Sequence, residues 1–126
     1  MSASSGTILI VDDDDSLRRL MSRVLGRAGH RVLDAGSVGE ASGLARGSAL
    51  AIDLLVVDAH LPDGGAGDAV AGVRAVHPRA RVLCVSGAAA EEAHGFLAAG
   101  TGGRFLAKPF SPAVLVAVVA ELLAQG

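Results

Sequence analysis

The stretch ILIVDDDDSLRRL, Ile8 to Leu20, runs an apolar segment into four consecutive aspartates and then into a leucine–arginine pattern. An apolar run this short, bounded by polar residues, reads as a buried strand. Packed carboxylates repel: at about 5 Å and an effective dielectric of about 20, each pair costs roughly 3 kcal/mol. Acids gathered where a core strand ends therefore imply that something positive sits beside them. Beyond the acids, Leu17, Leu20, Met21, Val24 and Leu25 recur at the spacing of one helical stripe. Arg18, Arg19, Arg23 and Arg27 are expected to face away from it, and Gly29 is the expected stop.

The same unit recurs. Apolar runs at Thr7–Val11, Arg31–Ala35, Leu54–Val57, Arg81–Val85 and Arg104–Ala107 are each followed by a helix-compatible segment. After the first, the expected helices cover about Val38–Arg46, Gly67–Val76 (ended by His77-Pro78), Ala89–Ala99 and Pro112–Leu123. Ser111 before Pro112 is an N-cap followed by proline in the first turn. Short apolar strands alternating with helices indicate βαβ units, hence an α/β fold with a parallel sheet.

With 126 residues the chain is one domain, and 51% hydrophobic against 19% charged residues excludes disorder. A net charge of −2 and no Tyr or Trp leave neither an electrostatic footprint nor stacking platforms for nucleic acid. No apolar run reaches membrane-span length, and Met1–Gly6 lacks the features of a signal peptide. Residues 1–6 are expected to be a flexible tail and 7–125 the domain. Cys84 is expected to be a buried reduced thiol, which suits the cytoplasm. None of the histidines His30, His60, His77 and His94 pairs with it at a zinc spacing.

Polar residues fall at the carboxyl ends of the strands: Asp12 and Asp13, Asp58, Ser86 and Lys108. In open parallel sheets the ligand site lies beyond those ends, where strand order reverses. With the order 2-1-3-4-5, Asp12, Asp13 and Asp58 converge on one crevice, with Ser86 and Lys108 on its far side. Hard oxygen ligands in that number suit Mg²⁺, which completes its octahedron with waters and a phosphoryl group. Lys108 adds a positive charge and Ser86 a hydrogen-bond donor. The set describes a site that holds a phosphoryl group on a carboxylate nucleophile. Asp14 and Asp15 read instead as helix-capping acids.

The acidic pair of ILIVDD, the segment LLVVDAHLPDG, VSGAA with its hydroxyl and FLAKPF with its lysine–proline occur in an order and spacing that resemble a receiver domain of two-component response regulators. The resemblance spans Thr7 to about Ala124. It implies a flavodoxin-like (βα)5 doubly wound sheet and a phosphorelay switch that is not a metabolic enzyme. Asp58 is then the phosphoacceptor, taking a phosphoryl group from a phosphohistidine of a histidine kinase or histidine phosphotransfer domain, with Mg²⁺ required. Asp13 beside Asp12, Asp58 and the backbone carbonyl of His60 form the implied metal site. Ser86 binds a phosphoryl oxygen, Lys108 pairs with the phosphate, and Ser86 with Phe105 forms the switch. A second copy or a neighbouring domain is implied to dock on the fourth helix, fifth strand and last helix, where Val116, Val118 and Leu123 are expected to be left over once Leu115, Val119 and Leu122 pack on the sheet. The RFLAKPFSP ending resembles receivers at the carboxyl end of hybrid sensor kinases. No output domain is expected after the last helix. Ala66 stands where the family commonly has glycine, and the GTGG turn before Phe105 is one residue longer than usual.

Rival readings lack their signatures. A flavin binder needs a hydroxyl- and glycine-rich loop where this chain has VDDDDS. A dehalogenase-type phosphatase needs Asp-x-Asp, where this chain has Asp58-Ala59-His60. The GGAG turn at Gly64–Gly67 lacks the GK[ST] of a nucleotide loop. The remaining alternative is a receiver-like interaction module that is never phosphorylated.

Overall fold

The computed structural model describes residues 5–87 and 103–125. The helix expected over Ala89–Ala99, with His94, lies outside these, as do Ala88 and most of the GTGG turn. Five strands, β1 (Thr7–Val11), β2 (Arg31–Ala35), β3 (Leu54–Asp58), β4 (Arg81–Ser86) and β5 (Arg104–Ala107), form a parallel sheet in the order β2-β1-β3-β4-β5. The described helices are α1 (Asp15–Arg27), α2 (Val38–Gly47), α3 (Ala66–Arg74) and the last helix, α4 (Pro112–Ala124). A two-residue antiparallel ladder, His60–Leu61 against Gly64–Gly65, connects β3 to α3 and was not foreseen from the sequence.

Side chains alternate across a strand, so each strand feeds two cores. Leu9, Val11, Leu55, Val57, Val82 and Cys84 face Ala41 and Ala45 of α2 and Ala69, Val70 and Val73 of α3. Ile8, Ile10, Leu54, Val56, Leu83 and Val85 face Met21 and Leu25 of α1 and Leu115, Val119 and Leu122 of α4. The sheet is therefore doubly wound, and Cys84 is a buried, reduced thiol. On the first face the helices are rich in small residues and pack closely. A β-carbon on Gly72 would run into Ser42 Oγ of α2.

Local chemistry sets the helix starts. Asp14 caps α1 by accepting the Leu17 N–H at 3.1 Å, and Ser111 caps α4 by accepting that of Val114 at 3.2 Å. At α2, Ser37 is the N-cap and accepts the Glu40 N–H, while the Glu40 carboxylate accepts the N–H of Gly36, one residue before the cap. The α3 helix ends at Arg74 rather than Val76, with the Val76 and His77 N–H groups turning back onto the Val73 carbonyl. His77 then bridges two elements: its Nδ1 accepts the Ile52 N–H (3.3 Å), so Nε2 carries the proton it donates to the Ala45 carbonyl (2.8 Å).

Three expectations are corrected. Leu20 is 46% exposed. At about 100° per residue it lies about 120° round α1 from the mid-line of buried Met21 and Leu25, so it falls off the core side. The same rotation brings Arg18 close to Leu25, and its side chain is only 15% exposed instead of facing away. On α4, Val116, Val118 and Leu123 are half-buried against the core rather than left over, because this helix packs on both the sheet and α1. Leu123 closes over Gly6, where a β-carbon would stand 2.9 Å from its Cδ2. Val114 is the large aliphatic residue of α4 left exposed, at 44%. No described helix is long and apolar enough to cross a membrane.

Candidate functional site

Strand order reverses between β1 and β3, and their carboxyl ends put the acids together. One carboxylate oxygen from each of Asp12, Asp13 and Asp58 lies within 4.8 Å of the others. Asp12 is fully buried and Asp58 is 9% exposed, while Asp13 is exposed. Lys108, just past β5, reaches across: its Nζ donates to Asp58 Oδ2 at 2.9 Å and to Asp12 Oδ2 at 3.3 Å. The Lys108 N–H donates to the Ser86 carbonyl at 2.8 Å, which fastens the β4 and β5 ends together. This is the positive charge that the aspartate run required, delivered from 96 residues away.

The four aspartates divide the work. Asp12 has every polar handle occupied: its N–H donates to the Ala35 carbonyl, its carbonyl accepts from Arg18, Oδ1 accepts the Asp14 N–H at 2.9 Å, and Oδ2 accepts from Lys108. Asp13 is presented to the cluster, Asp14 caps α1, and Asp15 pairs with Arg18 at 2.6 Å rather than capping.

Burial pushes the Asp12 carboxyl above its ordinary range, assisted by the charge of Asp58 and opposed by the Asp14 N–H and Lys108. For Lys108, burial disfavours the ammonium, but the hydrogen bond to Asp58 and the charges of Asp12 and Asp58 outweigh it and hold its pKa above the usual lysine value. One ammonium among three carboxylates leaves negative charge uncompensated. The donor set is all oxygen, partly buried and open on the Asp13 side, which fits a divalent cation such as Mg²⁺.

The remaining candidates line the same end of the sheet. Ser86 is buried at the tip of β4. The His60 N–H donates to Asp58 Oδ1 at 3.0 Å, which puts this exposed residue at the mouth of the site. Phe105 is half-buried on β5 and pairs with Cys84 in the register, so it shares a sheet face with Ser86 two residues on. Two features escaped the sequence reading. Arg18 supports the site from the β2 side, signalled only by its closeness to Leu25 on the helical wheel. An apolar groove of about 420 Å³ also runs from Asp14 and Lys108 between Leu17, Leu20 and Val24 of α1 and Phe110 and Pro112.

Residues 8–120 match the family described as the response regulator receiver domain. The chain belongs to that family. This receiver is 31% identical over 121 residues to the sensor kinase CckA of Brucella abortus (strain 2308), and 34% identical over 123 residues to the DNA-binding transcriptional regulator NtrC of Azospirillum brasilense. Those matches cover 96% and 95% of the receiver but only 13% and 24% of the two relatives. Among solved structures, the CheY-like receiver domain protein of Methanospirillum hungatei JF-1 superposes with a TM-score of 0.80 at 27% identity, covering 97% of the receiver and 96% of that chain. The family is a signalling switch rather than a metabolic enzyme, and it works with histidine kinases or phosphotransfer proteins.

Proposed function

We propose that residues 7–125 form a phosphoacceptor switch in which Asp58 takes the phosphoryl group. The observation that carries the reading is the Lys108 ammonium 2.9 Å from Asp58 Oδ2, beside the acids of Asp12 and Asp13. An oxygen of Asp58 attacks the phosphorus of a phosphohistidine as the P–N bond breaks. The imidazole leaves with the electron pair and takes up a proton, and an acyl phosphate remains. Lys108 moves its charge from the carboxylate to the incoming phosphoryl oxygens, and the Ser86 hydroxyl donates to another. Asp12, Asp13, Asp58 and the His60 carbonyl are the residues that hold Mg²⁺, which supplies charge neutralisation at the phosphoryl oxygens when bound.

Hydrolysis of the acyl phosphate resets the switch, and the His60 side chain at the mouth sets how long the charged state lasts. Phosphorylation draws Ser86 inward and turns Phe105, a shift between two populations. The donor, a cytoplasmic histidine kinase or phosphotransfer domain, seats in the apolar groove beside Lys108. A second copy or neighbouring domain docks on the face of β5 and α4, where Val114 is exposed. A Val114→Glu variant is then expected to sediment as a monomer with beryllofluoride present while the parent associates; monomers throughout exclude self-association.

The acceptor test is direct. Acetyl phosphate with Mg²⁺ is expected to label the chain once, and Asp58→Asn to abolish the label. Stoichiometric labelling of the Asn variant at another residue would overturn the assignment.

A further inference from the structure

We propose that Arg18 is a positioning residue of the acid cluster, its guanidinium holding the Asp12–Asp13 peptide so that the Asp13 carboxylate is presented toward Asp58. The inference rests on the reading of Asp12, Asp13 and Asp58 as a divalent-cation seat.

Arg18 lies in the first turns of α1, between half-buried Leu17 and exposed Arg19, and its guanidinium is held by three acceptors. Its Nη1 donates to the Asp12 carbonyl at 2.8 Å, its Nε to Asp34 Oδ1 at 3.1 Å, and its Nη2 to Asp15 Oδ1 at 2.6 Å. Asp34 is itself oriented by Ser22, whose hydroxyl donates to Oδ2 at 3.3 Å. The turn after β2 leaves room for this: a β-carbon on Gly36 would stand 3.3 Å from Nη1. One planar fork therefore ties α1, β2 and the end of β1 to each other, a task for which a lysine point charge has the wrong geometry.

The consequence falls on Asp13. A peptide unit is planar, so fixing the Asp12 carbonyl fixes the plane from which the Asp13 Cα hangs. Asp12 is already held through its N–H, Oδ1 and Oδ2, so the carbonyl contact completes its restraint. Asp13 is exposed, and its carboxylate gains its direction from the backbone on either side of it. Arg18 supplies that direction on one side and the Asp14 N–H bond to Asp12 supplies it on the other. Arg18 touches no reacting atom. It acts through the Asp12–Asp13 backbone, as groups behind metal ligands commonly do.

The test uses the isotopically labelled full chain without any phosphoryl donor, titrated with Mg²⁺ and read from amide resonances. The parent is expected to show saturable shifts at Asp13 and Asp58. Arg18→Met is expected to weaken Mg²⁺ about tenfold or more, and Arg18→Lys to fall between it and the parent. Arg23→Met, which removes an exposed charge from the same helix, is expected to bind like the parent. Saturating Mg²⁺ is expected to restore acetyl phosphate labelling of Arg18→Met. Parent-like Mg²⁺ affinity in both Arg18 variants overturns the proposal; if Arg18→Met does not fold, parent-like affinity in Arg18→Lys alone overturns it. Equal weakening by Arg23→Met overturns it as well, by reducing the effect to helix charge. A parent that shows no saturable shift at Asp13 or Asp58 overturns the cation seat itself, which is a different result from a parent that binds and variants that bind equally well.

Discussion

Lys108 spans the two buried acids, and its removal shows what a single charge does in this site. A Lys108→Met variant keeps the length of the side chain and loses the ammonium that bridges Asp12 Oδ2 and Asp58 Oδ2. The transition state for phosphoryl transfer then develops its charge without this partner, and labelling by acetyl phosphate is expected to slow by about a hundredfold or more. A labelling time course at saturating Mg²⁺ checks this, and a rate close to that of the parent would remove Lys108 from the chemistry. Arg18 behaves differently, because its contacts are to backbone and supporting acids rather than to Asp58. Residues that look alike in a run of charge thus take separate roles once their partners are fixed, as the four aspartates do.

At the level of elements, α2 is the weakest of the described helices by composition, with glycine at three of its ten positions, and it is tied to the loop that leaves the site. Gly43 lies in its interior, and a β-carbon there meets nothing within 4 Å. Gly43→Ala is therefore expected to stabilise the fold by about 0.5–1 kcal/mol, measured as a raised urea midpoint with an unchanged slope. The start of α2 is held by the loop that follows Asp58. Asp63 accepts the Val38 N–H at 2.8 Å and the Gly39 N–H at 3.0 Å, and these two bonds hold its carboxyl below the usual range. A depressed carboxyl contributes stability that is complete above its unfolded value of about 3.8 and is lost as pH falls through the lower folded value. Asp63→Asn is expected to lower stability at neutral pH, flatten the acid limb of the stability curve and speed hydrogen exchange at Val38 and Gly39. Unchanged exchange at those two amides would show that the loop does not hold the helix.

For the whole molecule, the amino-terminal end of the sheet sets a second pH dependence, far from the acids. His30 is buried there, its Nδ1 accepting the Gly6 N–H at 3.3 Å, and burial lowers its pKa. The neutral ring is the one the fold accommodates, so its contribution is complete above about pH 6.5 and is lost as pH falls through the lower folded value. Urea midpoints are expected to drop between pH 7.5 and 5 in the parent, and to drop less in His30→Gln, which cannot take up the proton. Equal slopes in the two proteins would clear His30 of this role. The sequence by itself determined the alternation of strands and helices, the apolar faces of β1, β3 and β4, the caps at Asp14 and Ser111, and the polar residues at the ends of β1, β3, β4 and β5. These are local: period, propensity and capping act within a few residues. Tertiary structure alone decided which aspartate meets Lys108, that Arg18 turns inward, that Val116, Val118 and Leu123 find cover, and that Asp63 and His77 join elements distant in the chain. Each of those depends on the strand order and on the rotation of a helix against its neighbours. A rotation of a few tens of degrees changes no local preference, yet it decides which side chains are buried and which are paired.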